Sequence, residues 1–364
     1  MSPKISFLCA IVCLTGAFLG CGGAYKSASV QSGPGFQQAN LVSDVAGKAA
    51  HTDPSLINPW GIAFMLGQSF FIADNKSGAA RVYDASGTKE IPLGFVIPPP
   101  AGGAVPSAPT GVVFNPIAED FVFRDNPAQF VFATEDGTIS TWSTNNGGFP
   151  TSASLAVDES ASGAVYKGLA ILTPDCCREF LALTDFHNGI VATFGVVFER
   201  IATLGTFTDP DLPQGYAPFN IQQIGTEVFV TYAVQDDAKH DPIVGPGNGI
   251  VDVFDQEGVF LRRFASNGPL NAPWGVVQAS SSFGPFSNDI LIGNFGDGTI
   301  NAFDPATGSF LGQLADGSGK VIVNPGLWAL VFRNDGGGDR NTLYFTAGAA
   351  NEKHALFGAI SFHN

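Results

Sequence analysis

The stretch NPWGIAF, residues 58–64, recurs along the chain and decides the fold. A close copy, NAPWGVV, stands at 271–277, and NPGLWALVF follows at 324–332. Weaker copies are APTGVVF at 108–114 and YKGLAIL at 166–172. A start signal that returns every few tens of residues indicates a chain built from structural repeats.

The repeat has a period near 54 residues. The first apolar run of each unit starts at six aligned positions, which lie 50, 57, 52, 55 and 54 residues apart: Gly61, Gly111, Gly168, Asn220, Gly275 and Ala329. Six such units occupy the chain from about residue 36 to its last residue, Asn364.

Each unit contains the same succession of short apolar runs. A second run, such as FFIADN at 70–75, is followed by a polar glycine turn and a third run, such as GTISTWS at 137–143. Most units add a looser fourth run, such as VFLRRFA at 259–265. Four short strands per unit predict an all-β fold, a six-bladed β-propeller with four-stranded blades. One blade cannot bury both of its apolar faces, whereas six blades in a ring cover each other.

The sixth unit lacks a fourth run because the chain ends at Asn364. The segment FQQANLVSD, residues 36–44, precedes the first unit and alternates like a strand. We expect it to supply the missing strand and close the ring, which would leave no exposed sheet edge.

Composition and charge limit the function. The 364 residues include 45 Gly and 24 Pro, only 13% are charged, and the net charge is −15. An acidic chain repels phosphate backbones, so we expect no binding to nucleic acid. We expect a monomer. Only Cys176 and Cys177 lie beyond residue 21, so the chain is not a disulfide scaffold.

The N-terminus has the pattern of an export signal. Lys4 precedes the apolar run ISFLCAIVCLTGAFLG at 5–20, and Cys21 follows it. The end of this run resembles a bacterial lipoprotein signal, which predicts a lipid anchor at Cys21; plain secretion is the alternative. The predicted parts are a signal (1–20), a flexible tether (21–35) and the propeller (36–364). We expect an exported protein that is secreted, or is a periplasm-facing or outer-membrane lipoprotein held to the membrane only by this anchor.

Polar residues end the second run of several units. The aligned positions are Asp74, Glu135, Asp185, Tyr232, Asn294 and Ala347. Oxygen ligands from different blades suit Ca²⁺ or Mg²⁺, so one hypothesis is a metal site of Asp74, Glu135, Asp185 and Asn294. The alternative is structural, because Asp and Asn at strand ends are common turn formers. We predict such a turn for Asp136-Gly137 and for Asp297-Gly298.

In a propeller, the loops that lead into first strands and the loops between second and third strands share one face, here called the top face. Ligands usually bind there. The predicted ligand-face residues are Asn58, Trp60, Asn75, His187, Tyr232, Trp274 and Trp328. The alternatives are that the tryptophans serve packing and that His187 is a turn or rim residue.

Several motifs together resemble a family of uncharacterised exported bacterial six-bladed propellers of the NHL/YVTN type. They include NPWGIA (58–63), PTGVVFN (109–115), GNFGDGTINAFD (293–304) and NTLYFTAG (341–348). The resemblance spans about residues 36–364 and implies fold and export, but no reaction. More distantly, the architecture is similar to six-bladed sugar lactonases, which hold a divalent cation over the channel with Glu, Asn and Asp.

Three functional hypotheses follow. The chain is a platform that binds a small molecule or an envelope protein, a metal-dependent lactone or ester hydrolase, or a purely structural envelope protein. The hydrolase requires at least three of the four proposed ligands to converge near the axis. The platform predicts an open groove or an apolar patch on the top face, and the structural protein predicts a plugged channel mouth.

Overall fold

The computed structural model describes residues 33–65, 67, 69–91, 94–144, 148–175, 178–333 and 339–364. The predicted signal, the predicted lipidation site Cys21, most of the tether and the pair Cys176-Cys177 lie outside the described residues. None of the helices in the described ranges has the length and apolar character needed to span a membrane.

The described part of the chain starts with two strands that do not belong to the first blade, β1 (Gly35–Ser43) and β2 (His51–Thr52). Blade 1 then forms from four antiparallel strands in chain order, of which the fourth is short: β3 (Pro59–Phe64), β4 (Phe70–Asp74), β5 (Ala79–Tyr83) and β6 (Phe95–Val96). A 3₁₀ turn, Asn75–Ser77, joins the second strand to the third.

Blade 2 carries an extra hairpin between its first and second strands. The blade and its hairpin comprise β7 (Pro109–Phe114), β8 (Val122–Phe123), β9 (Asn126–Pro127), β10 (Phe130–Thr134), β11 (Thr138–Trp142) and β12 (Ser154–Asp158). The hairpin strands β8 and β9 pair only with each other. A 3₁₀ turn, Ser160–Ser162, leads to the next blade.

Blade 3 departs from the predicted four-stranded pattern. It has three strands, β13 (Tyr166–Leu172), β14 (Phe180–Asp185) and β15 (Ile190–Phe194). The segment 195–215 takes the place of a fourth strand and makes one isolated bridge, Phe194 with Arg200. It also hydrogen-bonds to blade 4, where the Phe207 N–H donates to the Gly258 carbonyl at 2.9 Å. These bonds to blade 4 replace the ladder that a fourth strand would make.

Blades 4 and 5 follow the four-stranded pattern. Their strands are β16 (Tyr216–Ile224), β17 (Glu227–Val234), β18 (Ile250–Phe254), β19 (Phe260–Ser266), β20 (Pro273–Gln278), β21 (Ile290–Asn294), β22 (Ile300–Phe303) and β23 (Phe310–Gln313). A 3₁₀ turn, Gly284–Phe286, precedes β21.

Blade 6 combines the two ends of the propeller. Its strands from the C-terminal end are β24 (Leu327–Phe332), β25 (Leu343–Ala347) and β26 (Leu356–His363), with the short turn α1 (Ala349–Glu352) before the last. Strand β1 pairs antiparallel with β26, with Gly35 opposite His363 and Ser43 opposite Leu356. The six-bladed all-β propeller predicted from the repeat is confirmed, with blade 3 as the exception to the strand count.

Glycine is required where the innermost strands crowd the axis. A Cβ on Gly61 would lie 2.6 Å from the carbonyl oxygen of Thr110 in blade 2, and one on Gly275 would lie 2.6 Å from that of Trp328 in blade 6. Only a residue without a Cβ allows this approach. Farther out, aromatic rings join neighbouring blades, as where Phe71 stacks on Phe130 at 3.8 Å between centroids. Burial of each such ring contributes about 1.5–3 kcal/mol.

Candidate functional site

The residue immediately before each aligned start position lies at the mouth of the channel. These six repeat-equivalent residues are Trp60, Thr110, Lys167, Phe219, Trp274 and Trp328. Four are aromatic and buried, and they pack on one another. The rings of Trp60 and Trp328 stack at 3.6 Å, and Trp274 meets both edge-on at 6.3 and 5.8 Å.

The three tryptophans predicted as ligand-face residues therefore form a packed plug rather than an open platform. The four apolar side chains brought to one axis gain more by contact with each other than by facing water. Beneath the plug, the inner strands line a partly open cavity of about 70 Å³, with residues such as Leu169 and Asn220 in its wall. That volume admits a few water molecules.

Lys167 is the one charged residue among these six, and its side chain is only 1% exposed. Its Nζ lies 5.2 Å from the centroid of the Trp60 ring and 5.9 Å from that of Phe186, within the range of cation–π attraction. The ammonium contacts Glu135 Oε1 and lies 3.3 Å from Asp241 Oδ1. A buried ammonium needs such paired carboxylates, because an isolated buried charge is very costly.

Glu135 is held by a chain of hydrogen bonds that crosses the top face. Its Oε2 accepts from Asn75 Nδ2 at 2.8 Å. Asn75 Oδ1 in turn accepts from Asn58 Nδ2 at 3.4 Å, and Asn58 Oδ1 accepts from Trp328 Nε1 at 3.1 Å. Burial alone would raise the pKa of Glu135, but the Lys167 charge and the hydrogen bonds from Lys167 and Asn75 outweigh it and lower the pKa. Glu135 is therefore ionised at neutral pH.

Two further members come from the long loop between β17 and β18, residues 235–249. The imidazole Nδ1 of His240 lies 3.0 Å from Asp241 Oδ1. Asp236 holds this part of the loop, since its Oδ1 accepts from the backbone N–H of His240 at 2.8 Å. The hydrogen bond between His240 and Asp241 raises the pKa of the imidazole and lowers the pKa of the carboxyl. Glu135, Lys167, His240 and Asp241 are called the axial charge cluster below.

A strained turn borders the axial charge cluster. Ala350, Asn351 and Glu352 are consecutive non-glycine residues with left-handed φ values of 53, 55 and 60°. Such a conformation costs about 1–2 kcal/mol per residue. Burial and the nearby Glu135 charge raise the pKa of Glu352, whose Oε2 lies 3.5 Å from Lys76 Nζ. Strain of this kind persists where the surroundings hold it, and it concentrates at functional sites.

Three of the four predicted metal ligands bond within their own blades. Asp74 Oδ1 accepts from the Ile57 N–H at 2.7 Å, and Asp185 Oδ1 accepts from the Val165 N–H at 3.1 Å. Each of these bonds joins the end of a second strand to the loop that leads into the first. This is the structural alternative that the sequence left open.

Asn294 follows the same pattern, because its Oδ1 accepts from the Asn271 N–H at 3.1 Å. Asp74 is also paired with Arg81, with 3.1 Å between Oδ2 and Nε. Burial outweighs these contacts and raises the pKa of Asp74 to about 6.

The structure does not bring the predicted metal ligands together. Within the described ranges, the group of three acidic, histidine or cysteine side chains whose ligand atoms lie within 4.8 Å of one another is Glu135, His240 and Asp241. Only Glu135 belongs to both sets. Their separation has a physical reason: the carboxyl of Asp185 and its equivalents in blades 1 and 5 turn back to cap their own loops.

The remaining predicted residues lie apart from this group. Tyr232 is buried with Ile250 in the core between blades 3 and 4, which removes it from the ligand face. His187 is half-buried in the turn after β14, and its carbonyl accepts from Gln235 Nε2 at 3.3 Å. Asp136 makes a loop bond, since its Oδ2 accepts from the Ala108 N–H at 2.8 Å.

Asp297 also caps its own turn, accepting from the Thr299 N–H at 3.0 Å.

The sequence analysis did not predict three members of the site, Lys167, His240 and Asp241. For Lys167 a signal existed, because it is a lysine at a repeat position that elsewhere holds Trp, Phe or Thr. No comparable signal marks the other two residues.

Comparison with known proteins shows the family. No family model matches the chain. It is 33% identical over 331 residues to uncharacterized protein R648 of Acanthamoeba polyphaga mimivirus, which covers 88% of this chain and 78% of that protein. It is 31% identical to uncharacterized protein L690 of the same virus, covering 88% of this chain and 84% of that protein. The chain belongs to the family of these mimivirus proteins.

Solved structures share the fold at low identity. A streptogramin B lyase matches with a TM-score of 0.52 and 11% identity, over 90% of this chain and 98% of that one. The soluble aldose sugar dehydrogenase of Escherichia coli matches with a TM-score of 0.52 and 12% identity, over 90% and 99%. A Bacteroides thetaiotaomicron protein of unknown function matches with a TM-score of 0.57 and 11% identity, over 91% and 76%. At these identities the likeness shows the fold alone.

Proposed function

We propose that the chain is an exported binding platform that engages a basic partner, such as an envelope protein, through the axial charge cluster on its top face. The observation that carries the proposal is the buried contact of Lys167 with Glu135 above the aromatic plug. The plug fills the axis, so a partner meets the surface of the top face and not the channel. Export, by a lipid anchor at Cys21 or by secretion, is part of the proposal and rests on the sequence.

Accessible groups lie directly above the buried pair. The Asp241 side chain is 68% exposed and that of His240 is 46% exposed. Around them, the carboxylates of Glu135, Asp241 and Glu352 outnumber the two ammonium groups of Lys76 and Lys167. With a whole-chain charge of −15, this face attracts cations over a distance and selects a basic partner over an acidic one.

The experiment uses tryptophan fluorescence, because Trp60 lies directly beneath Lys167. Titration with an oligolysine peptide at low salt should quench the signal saturably, and an oligoglutamate peptide should not. The double variant Asp241→Asn with Glu352→Gln should weaken binding about tenfold. The matched control, Glu119→Gln with Asp125→Asn, removes two exposed carboxylates outside the cluster and should retain most of the affinity.

Equal weakening by the two double variants would mean that only net charge is sensed, and the proposed site would fall. Failure of oligolysine to bind the wild-type chain would favour a purely structural role. Each affinity is measured at two salt concentrations, because salt screens the attraction between exposed charges that are farther apart than the Debye length.

A second candidate is a metal-dependent hydrolase of lactones or esters. The observation that favours it is the grouping of Glu135, His240 and Asp241. Histidine with carboxylates is a ligand set for zinc and manganese. A metal there would polarise a carbonyl and lower the pKa of a bound water. This candidate predicts metal-dependent hydrolysis of an aryl ester or a lactone, which His240→Ala abolishes without loss of fold.

A further inference from the structure

We propose that the ammonium of Lys167 occupies the cation position of a divalent-metal site that Glu135, His240 and Asp241 would otherwise form. The chain thereby supplies its own cation at the axis, and Lys167 determines that metal ions are excluded. The exclusion of divalent metal ions from the centre of the top face does not depend on the basic partner proposed above.

The ligand geometry supports this assignment. One ligand atom from each of the three side chains lies within 4.8 Å of the other two. Zinc ligands at about 2.0–2.2 Å from the ion stand roughly 3–4 Å from each other, so a small closure would complete the site. Glu135 comes from blade 2, whereas His240 and Asp241 come from blade 4.

The ammonium already takes the place of an ion among these ligands. Lys167 Nζ contacts Glu135 Oε1 and lies 3.3 Å from Asp241 Oδ1, so two of the three ligand groups aim an oxygen at the same positive charge. A divalent ion bound by the same oxygens would stand within a few ångströms of the ammonium. The repulsion between them is strong because the Lys167 side chain is only 1% exposed, so water screens its charge poorly.

Lys167 cannot easily withdraw to admit a metal. Its side chain is buried between the Trp60 and Phe186 rings, and its backbone carbonyl accepts from Trp274 Nε1 at 3.1 Å. The same repeat position holds Trp60, Trp274 and Trp328 in three other blades, where the side chain fills the plug. In blade 3 the position therefore adds a fixed positive charge to the plug.

The test compares the wild-type chain with Lys167→Met, which keeps an unbranched apolar side chain against the rings and removes the charge. Each protein is titrated with Co²⁺, followed by visible absorption, and with Zn²⁺, followed by calorimetry. The variant should bind one equivalent at least a hundredfold more tightly than the wild type. Adding His240→Ala to the variant should remove that gain. Zn²⁺ should also raise the unfolding midpoint of Lys167→Met by several degrees and leave that of the wild type unchanged.

Lys239→Met is the matched control, because it removes one positive charge from an exposed lysine next to His240 and vacates no cation position. A gain in metal affinity equal to that of Lys167→Met would overturn the inference, since charge alone would then explain it. Absence of metal binding by a folded Lys167→Met would overturn it as well.

A measurement on the wild-type chain keeps the inference falsifiable even if Lys167→Met fails to fold. Micromolar Zn²⁺ binding by the wild type that His240→Ala abolishes would show that Lys167 does not exclude the metal. That result would favour the hydrolase candidate and would leave the oligolysine test unaffected.

Discussion

Two regions of the propeller each hold two carboxylates around one basic side chain, yet their protonation differs. In the axial charge cluster, Lys167 stands between Glu135 and Asp241, and the pKa of both carboxyls is lowered. At the rim of blade 4, Arg263 stands between Asp252, at 2.6 Å, and Asp209. There, burial raises the pKa of Asp252 to about 7, and the Asp209 charge adds to the rise against the attraction of Arg263.

The number of donors that each carboxylate receives explains the difference. Glu135 receives a second donor from Asn75, and Asp241 is 68% exposed to water and hydrogen-bonded to His240. Asp252 is fully buried, and its Oδ2 has no hydrogen-bond partner among the described residues. One guanidinium cannot compensate two buried carboxylates when one of their oxygens has no donor. Equal numbers of charges therefore give an ionised site at the axis and a site that favours a proton at the rim.

The cluster of Asp209, Asp252 and Arg263 also links the irregular part of blade 3 to blade 4. Asp209 lies in the segment 195–215 that replaces a fourth strand, and Arg263 lies on β19 of blade 4. The ion pair thus joins two blades at the place where a sheet ladder is missing. We expect the stability of this junction to depend on pH, whereas the carboxylates of Glu135 and Asp241 in the axial charge cluster stay ionised.

The largest expected effect comes from Lys167→Met measured without metal. The substitution leaves the carboxylate of Glu135 without its main partner, and breaking a buried pair in this way costs about 3–5 kcal/mol. Urea unfolding with a chelator present measures it. The additional change Glu135→Gln should recover part of the loss. A decrease in the free energy of unfolding of less than about 1 kcal/mol would show that the pair of Lys167 and Glu135 is hydrated. Burial would then not distinguish this pair from exposed ones.

Asp252→Asn should stabilise the protein at pH 8. The folded pKa of about 7 lies above the ordinary value of 3.8, so the stability that the protonated group provides is lost as pH rises through 7. Asn imitates the protonated form at every pH. The free energy of unfolding of the variant relative to wild type should therefore rise between pH 5 and pH 8, by about 1–3 kcal/mol.

Urea unfolding at four pH values from 5 to 8 checks this prediction. Asp125→Asn, at an exposed turn, is the matched control and should show no such trend. A variant that loses stability at pH 8 would mean that Asp252 is ionised there and that Arg263 suffices for both carboxylates.

The smallest expected effect is that of Glu227→Gln. Glu227 Oε2 lies 3.0 Å from Arg262 Nη2, and both side chains are about one third exposed. Exposed pairs of this kind contribute about 0–1 kcal/mol. Urea unfolding should show a change within that range, which diminishes further in high salt. A loss as large as that of Lys167→Met would mean that burial is not what separates the axial pair from surface pairs.

The fold was predictable because its signal is local and repeated. Runs such as FFIADN at 70–75 predict short buried strands, and the spacing between Gly61 and Gly111 corresponds to the length of one blade. The interruption in blade 3 was not predictable in the same way. The segment 195–215 contains apolar residues such as Phe207, and only its contacts with blade 4 show that it does not add a strand.

The site was predictable only in part, because turns and ligand sites use the same residue types. Asp74 and Glu135 occupy the same repeat position, yet one caps its own loop and the other faces the axis. The orientation of each carboxylate depends on which neighbouring residue supplies a hydrogen-bond donor. For Glu135 that donor is Lys167, and an alignment of the repeats cannot predict this contact.

By itself, then, the sequence determined the number of blades, the face on which polar residues gather and the lysine at a repeat position that elsewhere holds Trp, Phe or Thr. Only the tertiary structure decided which charges meet. Lys167 and Asp241 are 74 residues apart along the chain, and Nζ and Oδ1 lie 3.3 Å apart at the axis. The physical reason is that strand periodicity depends on residues close together in the chain, whereas an ion pair between blades forms only when those blades pack against each other.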